Sequence, residues 1–369
     1  MRTNSRSKTY LLGVAGALVV VGGLLIALPF IVSAMSPSAQ GHAEQTVAES
    51  VVATPPEAVA SSLETQAASV ASATSQIASS PVPAVVPAVA PTATAKPAAP
   101  AAPTGPSLAA YQGLGSWVDI YDDKAWANPS AAVADMARHG VRTLYIETSN
   151  SRSSFTIKDP AAMSEFIHAA HAHNILVVAW YLPEMKKAST DYRRIASAIQ
   201  YKTSDGQKFD SFTLDIESGA ISSVSARNKA LEALSSRIRS LVGASYPLGA
   251  CIPSPTGLAK KGSYWGVFPY TMLAKKYDVF VPMSYYTYHG KGSSAARADT
   301  LSNVRILRAQ KGCASTPIHL IGGIAENSSA AEVEAFVTAA NETHCIGASF
   351  YSWPATTSGD WRALAAIKR

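Results

Sequence analysis

From about residue 108 onward, short apolar segments alternate with amphipathic ones. The apolar segments are near-continuous runs of Val, Ile, Leu and aromatic residues, which is typical of parallel strands that are buried on both faces. Eight of them predict strands, at residues 115–121, 143–148, 176–182, 212–217, 248–252, 279–285, 318–324 and 347–353.

The amphipathic segments predict the helices between these strands. Two begin at Pro129 and Pro160, since proline is favoured at the first position of a helix. The predicted helices cover residues 129–139, 160–172, 192–200, 225–242, 295–309, 329–340 and 360–367, with a shorter one at 270–276. Strict alternation with eight strands predicts an α/β fold, a single (β/α)8 TIM barrel. A doubly wound open sheet is the alternative, but no glycine-rich nucleotide loop follows the first predicted strand.

The N-terminal segment has a different pattern. Arg2, Arg6 and Lys8 precede an uncharged apolar run from residue 10 to about residue 35, which is long enough to cross a bilayer. Basic residues before a span place the N-terminus in the cytoplasm and the rest of the chain outside. Small residues at 32–34 leave a cleaved signal peptide open as the alternative. We therefore predict a membrane segment at 1–35 and an extracytoplasmic protein, secreted if this segment is cut.

Residues 36–107 consist mainly of Ala, Pro, Ser, Thr and Val and contain no aromatic residue. Such a segment cannot bury a core, and its prolines favour extended chain. We predict a disordered linker here, which leaves residues 108–369 as the one barrel domain.

The formal net charge is +6, and because the charges before residue 108 cancel, the predicted barrel carries all of it. Its Lys and Arg residues do not form runs, which argues against a nucleic-acid partner. Of the three cysteines, Cys251 is predicted in a strand core, and Cys313 with Cys345 is the best candidate for a disulfide, with three free thiols as the alternative. The cysteine and histidine spacing does not predict a metal site. We expect no cofactor and a monomer.

The richest stretch chemically is residues 209–217, which predicts a strand ending in two acids, Asp215 and Glu217. Residues two apart in a strand point to the same side, with Cα atoms about 6.5–7 Å apart. Two acids on one face are costly to bury unless they are paired, hydrogen-bonded or used in catalysis. Active sites of such barrels lie at this end of the strands. We predict a catalytic acid pair, with a structural ion pair to Arg or Lys as the alternative.

Acids and aromatic residues also dominate the other predicted strand ends. This composition suits sugars, whose apolar faces stack on aromatic rings and whose cleavage needs carboxyl groups. The alternative for the aromatic residues is packing of the barrel. The predicted substrate-binding residues are Asp119, Trp180, Tyr181, Met283, Tyr286 and Trp353, and Tyr285 joins the predicted catalytic residues.

Three segments resemble glycoside hydrolases of family 18, the chitinase-like group. Residues 210–217 match the last Asp-x-Glu of that family's fourth-strand motif. Pro282-Met-Ser-Tyr285 is similar to its sixth-strand segment, and Ser349-Phe-Tyr-Ser-Trp353 to the segment with its last-strand Trp. The Asp-x-Glu strand end, together with Asp119 on the first strand, also resembles the muramidases of family 25.

The family 18 resemblance implies a role for each matching residue. Glu217 would protonate the leaving oxygen, Asp215 would orient the reacting group, and Tyr285 would hydrogen-bond it. Trp353 would form the floor of the sugar subsite. The sequence departs from the family at Thr213, where an inner Asp is usual, and at Tyr286, where an Asp follows the Tyr.

Two functions remain open at this point. One is a membrane-anchored glycoside hydrolase that acts on a cell-wall polysaccharide, such as peptidoglycan, or on an environmental one. The other is a catalytically inactive barrel that binds glycans.

Overall fold

The computed structural model describes residues 105–368. Eight parallel strands close into a barrel, in which each strand pairs with its neighbours in sequence and β8 pairs with β1. The predicted (β/α)8 barrel is confirmed. The strands are β1 (Gly113–Val118), β2 (Thr143–Asn150), β3 (Leu176–Leu182), β4 (Ser211–Asp215), β5 (Leu248–Pro253), β6 (Val279–Met283), β7 (His319–Ile324) and β8 (Gly347–Tyr351).

Helices follow the strands around the outside of the barrel. Asn128 and Asp159 cap two of them by accepting hydrogen bonds from backbone N–H groups, and each is followed by a proline at the first helical position. The helices are α1 (Asp123–Ala127), α2 (Pro129–Arg138), α3 (Pro160–Ala172), α4 (Ala188–Gln200), α5 (Val224–Val242), α6 (Pro255–Leu258), α7 (Tyr270–Lys276), α8 (Ser293–Arg308), α9 (Ala330–Glu342) and α10 (Ser358–Leu364).

The buried apolar side chains form two separate clusters. The larger one lies between the strands and the helices and includes residues of every helix from α1 to α10. The smaller one fills the inside of the barrel, and its members include Trp117, Tyr145, Trp180, Cys251 and Met283. Alternate residues of each strand contribute to the two clusters because side chains of a strand point to opposite faces in turn.

A short 3-10 turn before β1, Ala109–Tyr111, fills the N-terminal end of the barrel. Tyr111 is fully buried, and its hydroxyl lies 2.7 Å from Ser211 Oγ and 3.1 Å from Thr213 Oγ1. Gly249 allows this approach, because a Cβ there would lie 2.7 Å from the Tyr111 hydroxyl oxygen. The opposite, C-terminal end of the strands is therefore the end at which a ligand can enter.

The cysteines do not form the expected disulfide. All three are free thiols, so Cys313 and Cys345 are not bonded to each other, while Cys251 lies in the core of β5 as expected.

Between residues 105 and 368, no helix is both long and apolar enough to cross a membrane. The predicted membrane segment at 1–35 and the linker up to residue 104 lie outside the described residues.

Candidate active site

β4 brings the predicted acid pair to the open end of the barrel. The strand ends at Asp215, two residues earlier than predicted, although the Ile216 amide still donates to the Cys251 carbonyl oxygen at 2.8 Å. Glu217 therefore lies in the loop beyond β4. The two acids remain neighbours, since the charge of Glu217 raises the pKa of Asp215.

Asp215 is a buried acid with a free oxygen. Its side chain faces the inside of the barrel beside Cys251, and its Oδ1 has no hydrogen-bond partner among the described residues. Burial raises the pKa of Asp215 well above its ordinary value, and the charges of Glu217 and Glu147 raise it further. Burial and the neighbouring acids therefore favour the protonated form of Asp215.

Glu217 is exposed to solvent at the rim, in contrast to Asp215. The protein atoms around it displace enough water to raise the pKa of Glu217, while the Arg152 guanidinium acts in the opposite direction. The Tyr264 hydroxyl donates a hydrogen bond to the Glu217 backbone carbonyl oxygen at 3.0 Å and so fixes the chain at this point. A ligand can thus reach an acid whose protonated form is favoured.

Tyr285 follows β6 and faces the same acids. Burial raises its pKa well above the ordinary value, and the charges of Cys251, Glu217 and Asp215 contribute as well. Its backbone φ is +37°, a left-handed conformation that is strained for a tyrosine. The ring centroid of Tyr285 lies 6.4 Å from that of Tyr351 at the end of β8.

Asp119 lies after β1 and is tied to the same rim. Its Oδ2 accepts a hydrogen bond from the Tyr351 hydroxyl, and its Oδ1 accepts one from the Tyr121 amide, both at 2.7 Å. Its charge also raises the pKa of Tyr351, after the larger effect of burial. Asp119, Tyr351 and Tyr285 thus form a continuous wall of the barrel mouth.

Trp180 and Met283 line the inside of the barrel close to its open end. The Trp180 ring packs edge-on against Trp117 with a centroid distance of 5.8 Å. Trp117 Nε1 donates to Ser349 Oγ at 2.8 Å, whereas Trp180 Nε1 is buried without a partner among the described residues. An unpaired buried donor is costly unless a ligand or water accepts from it. Trp180 thus lies near the open end of the barrel, and its role in binding a substrate stays a prediction.

Tyr181 and Tyr286 do not reach the mouth, which corrects their prediction as substrate-binding residues. Tyr181 follows the inward-facing Trp180 in β3 and so points to the outer face of the barrel, whereas Tyr286 lies beyond the end of β6, in a 3-10 helix at Tyr286–Tyr288. Tyr181 is fully buried there and donates to Asp191 Oδ1 at 2.6 Å. Tyr286 is buried against α9, where its hydroxyl donates to Ser328 Oγ at 3.0 Å.

Trp353 is also turned away from the mouth. It lies two positions beyond Tyr351, and an extended strand would have directed it inward. The chain instead turns into a 3-10 helix, Trp353–Ala355, after β8 ends. The Trp353 indole is consequently buried on the outside of the barrel, where it donates to Asp135 Oδ2 at 3.0 Å. The predicted sugar floor is therefore wrong for this residue.

A further acid at the mouth, Glu147, was not among the predicted site residues. It is almost fully buried at the end of β2 and accepts hydrogen bonds from the Ile120 amide and from Asn150 Nδ2, each at 3.0 Å. Burial raises the pKa of Glu147 to about 8. Since both of its oxygens have protein partners, Glu147 supports the loop after β1.

Several exposed aromatic and basic residues of the rim were also missed. They lie in loops, where periodicity carries no information about which side chains converge. The sequence offered no signal for Tyr264 or Arg152, while Trp117 lay within a predicted strand and could have been assigned from its alternation with Val118. In the described part of the chain, no group of three or more His, Cys, Asp or Glu residues is arranged to hold a metal ion.

Comparison with known proteins shows similarity in structure only. No protein-family model and no curated protein sequence matches the chain. Among solved structures, the endo-1,4-β-mannanase of Rhizomucor miehei has a TM-score of 0.54 at 12% identity, over 72% of this chain and 96% of that one. The spore cortex-lytic enzyme SleL of Bacillus cereus has a TM-score of 0.53 at 11% identity, over 70% and 74%.

A family 18 chitinase from Cycas revoluta, solved in complex with (GlcNAc)3, has a TM-score of 0.50 at 12% identity, over 69% of this chain and 98% of that one. At these identities the similarity concerns the fold. The fold that the strand-end motifs implied is therefore confirmed, and the chain is a TIM barrel of the kind shared by these glycoside hydrolases.

Proposed function

We propose that the protein is a glycoside hydrolase that cleaves glycosidic bonds of a cell-wall or environmental polysaccharide, with Glu217 as general acid. The observation that carries the proposal is the pair of neighbouring acids, Asp215 and Glu217, at the open end of the barrel. The pKa of each is raised, and one of the two is accessible to a ligand.

The geometry suggests a division of work between these residues. Glu217 would donate its proton to the leaving oxygen, because it is both protonatable and exposed. Asp215, whose Oδ1 has no hydrogen-bond partner among the described residues, would bond and orient the reacting group. Tyr285 would hold that group from the β6 side, and Trp180 would contact the sugar with its ring and its unpaired Nε1.

The structurally similar proteins are in accord with a glycan substrate. Their printed descriptions name a chitinase with bound (GlcNAc)3, a β-mannanase and a spore cortex-lytic enzyme. Because these enzymes differ in substrate, the proposal extends to polysaccharide and not to one sugar.

A catalytically inactive glycan-binding barrel is the second candidate, and one observation favours it. Thr213 replaces the inner Asp of the family 18 motif. Its hydroxyl lies 3.1 Å from the Tyr111 hydroxyl, on the side of the closed end of the barrel. The segment therefore lacks that inner carboxylate, and any cleavage must proceed with the remaining acids.

The first experiment compares the full-length protein with its Glu217→Gln variant on peptidoglycan, chitin oligosaccharides, mannan and aryl glycosides. Loss of a general acid should lower turnover about 10²–10⁴-fold while binding is kept. Glu334→Gln, an exposed position on α9, is the matched control and should retain full activity. Saturable binding without turnover by the wild-type protein on every substrate would favour the glycan-binding barrel.

A further inference from the structure

The loop of residues 259–269, between α6 and α7, places an exposed aromatic ring next to Glu217. Tyr264 in this loop is 50% exposed, although its hydroxyl is fixed on the Glu217 carbonyl oxygen. Burial, followed by the charge of Glu217, raises the pKa of this hydroxyl. The hydroxyl end of Tyr264 is therefore bonded to the backbone of Glu217, while much of its ring surface remains exposed.

A buried scaffold holds Tyr264 in this position. Arg227 of α5 is almost fully buried, and its Nη1 donates to the Tyr264 carbonyl oxygen at 3.0 Å. The same guanidinium lies over the rings of Tyr264 and Trp265, 5.6 and 4.6 Å from their centroids. Trp265 is fully buried and donates from Nε1 to Asn228 Oδ1 at 2.7 Å. These contacts hold the ring in place while half of Tyr264 stays exposed to a ligand.

A second exposed ring belongs to the same region. Tyr288, after β6, is 55% exposed and packs edge-on against Tyr285 with a centroid distance of 5.9 Å. Burial and then the charge of Glu217 raise its pKa, as they do for Tyr264. Glu217 is therefore close to two open aromatic surfaces. Rings of this kind suit the apolar faces of successive sugar units.

Exposed lysines follow both of the strands that flank β4. β3 and β5 are the neighbours of β4, and the loops that follow them carry one exposed lysine pair each, 186–187 and 260–261. Within the part of the chain that the structure describes, none of these four ammonium groups forms an ion pair. Arg152 is near enough to Glu217 to affect its pKa. This arrangement favours a ligand with negative charge.

We propose that Tyr264, together with Lys260 and Lys261, forms a subsite beside Glu217 that binds a carboxylate-bearing unit of an acidic glycan. The ring would stack on the sugar, and the ammonium groups would pair with its carboxylate. The inference rests on the proposed function in that the same mouth must bind a glycan.

The ring is tested by binding measurements with the full-length protein and two matched pairs of polymers. Carboxymethyl-chitin is compared with glycol chitin, and carboxymethyl-cellulose with hydroxyethyl-cellulose, so that each pair shares a backbone and differs in charge. Tyr264→Ala should weaken binding of the preferred backbone about tenfold, in its charged and neutral forms alike. Tyr264→Phe keeps the ring and should stay within about twofold of the wild type.

The charges are tested by reversing them. Lys260→Glu with Lys261→Glu should weaken binding of the acidic polymer about tenfold at low salt and leave the neutral one unchanged. The wild-type affinity for the acidic polymer should fall with added salt, and that of the double variant should fall less. Lys202→Glu with Lys208→Glu, at exposed positions between α4 and β4 near the closed end of the barrel, is the matched control.

Opposite results would overturn the subsite. One such result is that Tyr264→Ala binds both polymers with the affinity of the wild type. Another is that the two lysine double variants lose equal affinity for the acidic polymer, and a third is that the wild-type protein does not bind the acidic polymer. Hydrolysis is scored separately in the same samples. Binding with the expected pattern but without turnover would refute the proposed hydrolase and keep the subsite. Turnover that depends on Glu217 but not on Tyr264 would refute the subsite alone.

Discussion

Glu147 is a carboxylic acid held almost completely out of water at the mouth of the barrel. Its folded-state pKa of about 8 lies above the ordinary value of 4.5. The folded chain therefore binds a proton that the unfolded chain releases at lower pH. Because of this difference, the proton's contribution to stability is complete below about pH 4.5 and is lost as the pH rises towards 8.

Glu147→Gln should remove this pH dependence, since an amide stays neutral. Relative to the variant, the free energy of unfolding of the wild type should fall between pH 4.5 and 8, by at most about 1.4 kcal/mol per pH unit. Chemical denaturation of both proteins across this range measures the difference, in which the titration of other groups cancels. Parallel pH profiles would show that Glu147 is not protonated in the folded protein.

Trp180 and Trp353 provide a matched test of two buried indoles on opposite faces of the barrel wall. Trp353→Ala should lower the free energy of unfolding by about 3 kcal/mol and leave glycan affinity unchanged, because the ring packs outside the barrel. Trp180→Ala should also destabilise the protein, but it should weaken glycan binding about tenfold in addition. Both are measured by denaturation and by titration with oligosaccharides. Equal effects on affinity would contradict this assignment.

The sequence predicted the site at the level of strand ends and was less reliable for single side chains. Asp215, Glu217 and Tyr285 lie together at the mouth, with Trp180, Met283 and Asp119 around them. Tyr181 was misplaced by one residue of strand alternation, which reverses the direction of a side chain, and Tyr286 was misplaced because a 3-10 helix follows the end of β6.

At the scale of elements, the turn Ala109–Tyr111 fills the closed end of the barrel, and we call this turn the plug. Tyr111→Phe would leave Thr213 Oγ1 without this partner, while Ser211 keeps its bond to the Pro247 carbonyl oxygen at 2.8 Å. We expect a loss of about 1–3 kcal/mol in the free energy of unfolding, since a buried polar group is left unpaired. Activity of the folded protein should not change, because the site lies at the other end.

Tyr201→Phe is the control for the plug. Its hydroxyl donates to the Pro160 carbonyl oxygen at 2.6 Å in an exposed position, where water can replace the lost bond. The expected loss is below about 1 kcal/mol. A larger loss for Tyr201→Phe than for Tyr111→Phe would argue against the plug as a stabilising element.

The ends of the elements were the part that local sequence did not determine. β4, β6 and β8 each stop two residues before their predicted ends, at Asp215, Met283 and Tyr351. Pairing with a neighbouring strand decides where a strand ends, and that partner is distant in sequence. The shortening of each strand by two residues has consequences for the site. It places Glu217 and Tyr285 in loops at the rim, and it allows Trp353 to turn outward.

At the scale of the whole molecule, we propose that residues 1–35 anchor the protein in a membrane with the barrel outside the cytoplasm. The full-length chain should then be found in the membrane fraction and should resist extraction with high salt, since a long apolar span is held by the hydrophobic effect. A variant that lacks residues 2–35 should be soluble. Full-length protein in the soluble fraction at its full mass would refute the anchor, and a shortened soluble form would indicate a cleaved signal peptide.

The sequence by itself determined the barrel, the order of its elements and the chemistry of its open end. Apolar runs of strand length, helices with capped starts and acids at strand ends are local properties, and they need no knowledge of distant partners. Only the tertiary structure decided which side chains share the mouth. Closure of the barrel brought Asp119, just after β1, against Tyr351 of β8, and the packing of Arg227 placed Tyr264 beside Glu217. Contacts between residues so far apart in the chain depend on the folded path of the backbone, which local pattern does not encode.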